Sequence, residues 1–102
     1  GKYHAESTFN DIRSRWTKSD IRTRAGLVGK LKTVIPQGND LAQIAMSFCL
    51  AYDAVATVIP GNRNIAQLKA NLASTSQPVA DELVARLEEF YREEVEELGL
   101  PW

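Results

Sequence analysis

Apolar residues recur along most of this chain at three- and four-residue steps, the spacing that predicts amphipathic helices. Four helices are predicted, over residues 21–35, 40–52, 65–74 and 80–98. Ser19 or Asp20 is the predicted N-cap of the first helix, and Asp40 is that of the second. The second helix is apolar on nearly every side, which predicts burial on more than one face. Residues 1–20 follow neither the helical nor the strand period, and we expect a basic loop arm there.

One short segment departs from the helical pattern. Residues 55–59, VATVI, form a nearly continuous β-branched run, which predicts a parallel strand buried on both faces. Such a strand needs neighbouring strands on both of its edges, and no second strand is predicted in this chain. We therefore expect a mainly α structure for the chain by itself, and we interpret the chain as a piece of a larger, sheet-containing domain.

The segment that follows this strand combines the features of an anion site. Pro60 ends the β-branched run and Gly61 permits a tight turn. Asn64 is a preferred N-cap residue, with Gln67 three residues later as in a capping box. A helix N-terminus offers free N–H groups and a positive dipole end, and Arg63 adds a planar cation suited to phosphate. On the residues alone a second interpretation stays open, in which an ordinary buried strand and turn precede a surface arginine.

Several single residues carry expectations of their own. In the third helix, Ile65, Leu68 and Leu72 share one face, which is predicted to point inward. Cys49, the single cysteine, lies in the most apolar helix and is predicted to be a buried structural thiol. It has no partner for a disulfide within the chain, which suits a reducing compartment. His4 is the single histidine, and no metal site is predicted around it.

Composition and charge limit the classes of function. A chain of 102 residues forms one domain at most, and its net charge of −1 gives no bulk attraction to nucleic acid or to an anionic membrane. The charge is unevenly distributed: residues 1–32 hold eight Lys or Arg against three Asp or Glu, and residues 70–102 hold two against eight. This polarity fits a basic face near a phosphate ligand, and it equally fits solvated helix faces of opposite sign. No apolar run has the length of a membrane span and no signal peptide is visible, so we expect a cytoplasmic protein.

The order and spacing of several short motifs resemble the C-terminal part of the aldo/keto reductase superfamily. The motifs are the LAQIA helix start, the VIPG strand end and the QLKAN helix, all within residues 41–74, and the opening GKY. The resemblance implies that the chain corresponds to the last quarter of a (β/α)8 barrel, from the loop after the seventh strand to the C-terminal helix. It also implies an NADP-dependent oxidoreductase that reduces aldehydes or ketones without a metal.

The same resemblance assigns cofactor-binding roles to particular residues. Gly61, Asn62 and Arg63 are expected to line the adenosine 2′-phosphate, with Arg63 as its charge partner. Gln67 and Asn71 share a helix face because they are four residues apart, and they are expected to contact the phosphoribose and the adenine. In the N-terminal arm, the resemblance matches Lys2 to a lysine that contacts the pyrophosphate, and Arg13 or Arg15 to a nearby arginine.

Two departures from the family pattern limit this assignment. Ala70 stands where many members have a glutamate that binds the adenine amino group. The family's catalytic Asp, Tyr, Lys and His lie on the first four strands, which have no counterpart in these 102 residues. We therefore assign no catalytic residue to this chain and expect it to be inactive alone, with NADP(H) and a small carbonyl substrate as ligands of the parent enzyme.

Two other classes of function stay open. The chain is also interpretable as a non-catalytic helical module, in which the helix at 80–98 pairs with a partner or with a copy of itself. In that case the run at 55–59 is a linker or an edge that pairs between molecules. A regulatory subunit that keeps the reductase fold is the third class, and the sequence does not separate it from the first.

Overall fold

A computed structural model describes residues 4–100, and it is mainly helical, as predicted. The four α-helices are α1 (Lys18–Val34), α2 (Leu41–Leu50), α3 (Ile65–Ala73) and α4 (Asp81–Glu94). Three short 3₁₀ helices accompany them, at Ile12–Arg15, Ser74–Ser76 and Glu96–Leu98.

The strand predicted over residues 55–59 is not formed in the described part of the chain. Residues 55–60 are neither helical nor paired in a β-ladder, and residues 4–100 contain no β-strand. A strand exists only as a ladder with a neighbour, because its N–H and C=O groups bond across to another strand. The β-branched run has no such neighbour among the described residues, so this prediction is corrected.

The start of α1 differs from the prediction because a different residue caps it. Thr17, rather than Ser19 or Asp20, closes the N-terminus, and its N–H and hydroxyl donate to Asp20 Oδ2 at 2.8 and 2.7 Å. In return the Asp20 N–H donates to Thr17 Oγ1 at 3.1 Å, which completes a reciprocal capping box. The Thr17 hydroxyl is the main reason that the pKa of Asp20 lies below its ordinary value.

The end of α4 comes earlier than the predicted residue 98. Glu93, Glu94, Glu96 and Glu97 crowd the C-terminal end, where the negative end of the helix dipole disfavours carboxylates. The regular helix stops at Glu94, and a 3₁₀ turn over Glu96–Leu98 follows. Gly99 then adopts a left-handed conformation with a φ of 53°, which ends the helical path.

The chain divides into two compact units, one of Gly1–Val34 with Glu89–Trp102 and one of Ile35–Glu88. In the first unit Ile21 is buried, and the rings of Phe9 and Trp16 meet edge to face with centroids 6.1 Å apart. The Arg24 guanidinium lies 4.3 Å from the Trp16 ring centroid, within cation–π range. An ion pair between Lys30 and Glu94 joins α1 to the end of α4.

In the second unit, α2 and α3 are joined by side chains that bond to carbonyl groups. Ser47 Oγ donates to the Ser74 carbonyl at 3.0 Å, and both serines are buried. Gln43 Nε2 donates to the Ala70 carbonyl at 3.2 Å. α2 begins at the predicted cap, where Asp40 Oδ1 accepts from the N–H groups of Ala42 and Gln43.

The apolar core is smaller than the sequence pattern suggests. Among the described residues, Ile21 and Ile35 are the buried apolar side chains. The α3 face predicted to point inward is exposed, with Ile65 and Leu72 at 72% and 60% of full exposure. Cys49, predicted to be buried in α2, is also exposed. Each helix can cover only one face of its neighbour, so the Ile65–Leu72 face of α3 and the Cys49 side of α2 stay exposed.

Candidate functional site

The candidate site is the turn between Pro60 and the first turns of α3. Asn64 caps the helix as predicted: it has extended backbone angles, and its Oδ1 accepts from the Gln67 N–H at 2.8 Å. The Gln67 Oε1 in turn accepts from the Arg63 N–H at 2.8 Å. In a standard capping box this side chain would bond to the N–H of the cap residue, Asn64, so the observed bond lies one residue earlier. The cap therefore fixes the backbone of Arg63 as well as the start of the helix.

A second pair of amides ties the turn to the middle of α3. Asn71 Nδ2 donates to Asn62 Oδ1 at 2.7 Å, and Asn62 Nδ2 donates to the Pro60 carbonyl at 3.3 Å. The helical spacing of Gln67 and Asn71 places both amides on the side of α3 that faces the turn. The structure thus brings together four of the predicted cofactor-binding residues, namely Asn62, Arg63, Gln67 and Asn71.

The side chain of Arg63 is exposed and available to an anion. It forms no ion pair with any carboxylate in residues 4–100, in contrast to Arg13, Arg22 and Lys30. An unpaired guanidinium retains its full capacity to bind a phosphate through two parallel hydrogen bonds.

Gly61 has a smaller structural role than predicted. Its φ is not in the left-handed region, and a Cβ built on it meets no atom within 4 Å. The backbone of this turn therefore does not require glycine in the structure. Any requirement for a glycine here would come from the close approach of a ligand, as the resemblance implies.

The turn borders an apolar cavity of about 340 Å³ in the second unit. Asn62 and Asn71 lie at its polar side, and Met46, Leu50, Val58 and Leu68 are among its apolar walls. This volume is at the lower end of the range for small-molecule pockets. The cavity thus combines a small number of amide groups with apolar surface, which is the usual composition of a small-molecule site.

Two of the predicted cofactor-binding residues come from the N-terminal arm. Lys2 lies outside the described residues. Arg13 belongs to the other compact unit, where its guanidinium forms an ion pair with Asp11, and its Nε donates to Asp11 Oδ1 at 2.9 Å. The guanidinium carbon also lies 5.3 Å from the centroid of the Phe9 ring. The cofactor roles of Lys2 and Arg13 remain predictions.

Other kinds of site are not visible in the described residues. Residues 4–100 contain no group of three or more His, Cys, Asp or Glu side chains with the proximity that metal binding requires. None of the helices in this range combines the length and apolar character of a membrane span. One perturbed group lies near α2: Tyr52 donates to Glu88 Oε1 at 2.7 Å, and this bond raises the pKa of the phenol.

Sequence reasoning missed two contacts in the turn. The hydrogen bond from Asn71 to Asn62 joins residues nine apart, and no local spacing rule predicts it. The bond from the Arg63 N–H to Gln67 was closer to prediction, because the Asn-x-x-Gln pattern already indicated a reciprocal cap.

Comparison with known proteins gives one finding. The model of the aldo/keto reductase family matches residues 2–92 of the chain. No curated protein and no solved structure matches. The family match covers the turn, all of α1, α2 and α3, and most of α4.

Proposed function

This chain belongs to the aldo/keto reductase family, and on that premise we propose that it is the C-terminal, cofactor-binding part of an NADP-dependent reductase. The parent enzyme would reduce aldehydes or ketones to alcohols. The family is one of oxidoreductases that use a nicotinamide cofactor. The chain itself contributes binding and orientation, since none of its residues is assigned to proton transfer.

The observation that carries this proposal is the arrangement around Arg63. Its guanidinium is exposed and forms no ion pair within residues 4–100. Its backbone is held by Gln67, which is itself positioned by the Asn64 cap. A cation on a fixed backbone at a helix N-terminus suits a phosphate monoester, because the charge and the helix dipole act in the same direction. The 2′-phosphate that distinguishes NADPH from NADH is such a group.

The amide side chains of the turn fit the rest of an adenosine. Asn62 and Asn71 line the apolar cavity of about 340 Å³, and Gln67 lies one turn before Asn71 on the same face of α3. These amides bond to the turn in the free chain, so a bound nucleotide would exchange their internal hydrogen bonds for bonds to itself. The cofactor, when bound, supplies the hydride that reduces the carbonyl carbon. This chain would hold the adenosine end of the cofactor, away from that reaction.

The proposal is tested by titrating the chain with NADPH and with NADH in a calorimeter. We expect Arg63→Ala to weaken NADPH binding by about 10- to 100-fold, because a hydrogen bond to a charged group contributes about 1.5–3 kcal/mol. NADH binding should change little, since NADH lacks the phosphate. Arg86→Ala is the matched control, because Arg86 is an exposed arginine outside the turn. An unchanged preference for NADPH in Arg63→Ala would refute the role of this residue.

A further inference from the structure

Gln43 makes a contact that its place in the sequence does not predict. It stands three residues after the Asp40 cap, the position from which a capping-box glutamine bonds back to its own cap residue. Its Nε2 instead donates to the Ala70 carbonyl at 3.2 Å, 27 residues away along the chain. Gln67 has the same position relative to Asn64, and its side chain bonds locally, to the residue before the cap. The Gln43 side chain is therefore used between helices rather than at the start of its own helix.

This bond holds the backbone at the point from which Asn71 projects. The Ala70 carbonyl and the Asn71 N–H belong to one planar peptide group. A carbonyl oxygen has two lone pairs, so Ala70 can accept from Gln43 besides a donor within α3. From the same peptide the Asn71 side chain reaches the turn, where its Nδ2 donates to Asn62 Oδ1 at 2.7 Å. Gln43 is therefore linked to the turn through one peptide group and one side chain.

A second bond joins the same two helices one helical turn further along each of them. Ser47 follows Gln43 by four residues, and its Oγ donates to the Ser74 carbonyl at 3.0 Å. Ser74 likewise follows Ala70 by four residues. One bond alone would leave α3 able to turn about that point, whereas two bonds a full turn apart fix its direction. With the Ser47 bond intact, loss of the Gln43 bond should let α3 shift without separating from α2.

We propose that Gln43 is a positioning residue of the nucleotide site, and that it acts by holding Asn71 against Asn62. The inference rests on the proposed function, in which these two amides contact the adenosine end of the cofactor. Asn62 and Asn71 line the cavity beside the turn, whereas Gln43 is not among its lining residues. Gln43 thus influences a bound nucleotide only through α3, in contrast to the residues that bind the nucleotide directly.

Two substitutions remove the donor while they keep the length of the side chain. In Gln43→Glu the carboxylate cannot donate to the Ala70 carbonyl, but a glutamate in the first turn of α2 suits both the cap and the helix dipole. Gln43→Met removes the donor without adding a charge, so agreement between the two variants excludes an effect of charge. Circular dichroism should show that both variants keep their helices. Gln37→Glu is the matched control, because Gln37 is an exposed glutamine of the same unit that lies outside the helices.

The first measurement reports on the two amides and needs no nucleotide. In NMR spectra of the ¹⁵N-labelled chain, the side-chain amide protons of Asn71 should give nuclear Overhauser effects to the Asn62 side chain. We expect both substitutions of Gln43 to lose most of this signal, and Gln37→Glu to keep it. An Asn71–Asn62 signal that is as strong in the folded Gln43 variants as in the control would overturn the proposal.

The second measurement is calorimetric titration of the same variants with NADPH. We expect Gln43→Glu and Gln43→Met to weaken binding by about 3- to 10-fold, the effect of one neutral hydrogen bond, and Gln37→Glu to leave it unchanged. Asn71→Ala should also weaken binding, and adding Gln43→Met to it should cause no further loss, because Gln43 acts through that side chain.

The combined variant separates positioning from a general loss of stability. If the losses from Gln43→Met and Asn71→Ala add, Gln43 acts by another route and the proposal is overturned. If the unmodified chain binds neither NADPH nor NADH, the proposed function fails, while the NMR signal still decides whether Gln43 positions Asn71. The two failures are therefore distinguishable.

Discussion

Replacement of Asn64 by alanine is the sharpest test of how the turn is held. The substitution removes the Oδ1 acceptor of the Gln67 N–H, a bond of 2.8 Å at the start of α3. Loss of an N-cap side chain costs about 1 kcal/mol in a typical helix. The Gln67 side chain also loses its fixed position, so its bond to the Arg63 N–H should weaken by a fraction of a neutral hydrogen bond, about 0.5 kcal/mol. We expect a total decrease of about 1–1.5 kcal/mol in the free energy of local opening.

Amide hydrogen exchange measured by NMR reports this loss where it occurs. The protection of the Gln67 and Arg63 N–H groups should fall by about 5- to 12-fold, which corresponds to the expected decrease in free energy. Asn64→Ser is the control, because serine is an equally good N-cap and should keep most of the protection. A double-mutant cycle with Gln67→Ala should show coupling at the Arg63 N–H. Equal protection in Asn64→Ala and Asn64→Ser would refute the view that the cap holds this turn.

Two further predictions concern the packing of α2 and the start of α1. Ser47→Ala should lower the free energy of unfolding by about 1 kcal/mol, measured by urea titration: the Ser74 carbonyl loses one donor but keeps the Gln77 N–H at 3.3 Å. A loss well above this value would show that the carbonyl has no second partner. Hydrogen bonds from Thr17 lower the pKa of Asp20 in the folded chain. The ionised Asp20 carboxylate should therefore stabilise the fold fully above the unfolded-state pKa near 4. This stabilisation should disappear as the pH falls through the lower pKa of the folded state. Asp20→Asn should remove this part of the acid dependence, and an identical pH profile in the variant would contradict it.

The sequence predicted the elements that depend on local contacts. The caps at Asp40 and Asn64 are where the residue types indicate, because an N-cap needs only a side-chain oxygen within reach of the next turn. Gln67 and Asn71 lie on one face of α3, as their four-residue spacing predicts, whereas the bond between Asn62 and Asn71 was not predicted.

Features that depend on distant parts of a fold were not predictable in this way. Apolar periodicity shows which face of α3 is suited to burial, but it does not show whether another part of the chain packs against that face. Ile65 and Leu72 are therefore exposed, and the run at 55–59 has no β-ladder with any other segment of residues 4–100. Cys49 is exposed for the same reason, because an all-apolar helix is buried all round only when neighbours lie on every side.

Two hydrogen bonds from α2 hold the C-terminal end of α3, so α3 is fixed at one end. Gln43 and Ser47 both bind carbonyl groups in the C-terminal part of α3 or just after it, at Ala70 and Ser74. The nine residues of α3 span about 13 Å. A tilt of about ten degrees around the fixed end therefore moves the opposite end, next to Arg63, by about 2 Å. A small shift of the backbone at Ser74 would therefore produce a larger displacement of Arg63. Substitutions near Ser74 are expected to change the position of Arg63 although they do not contact it.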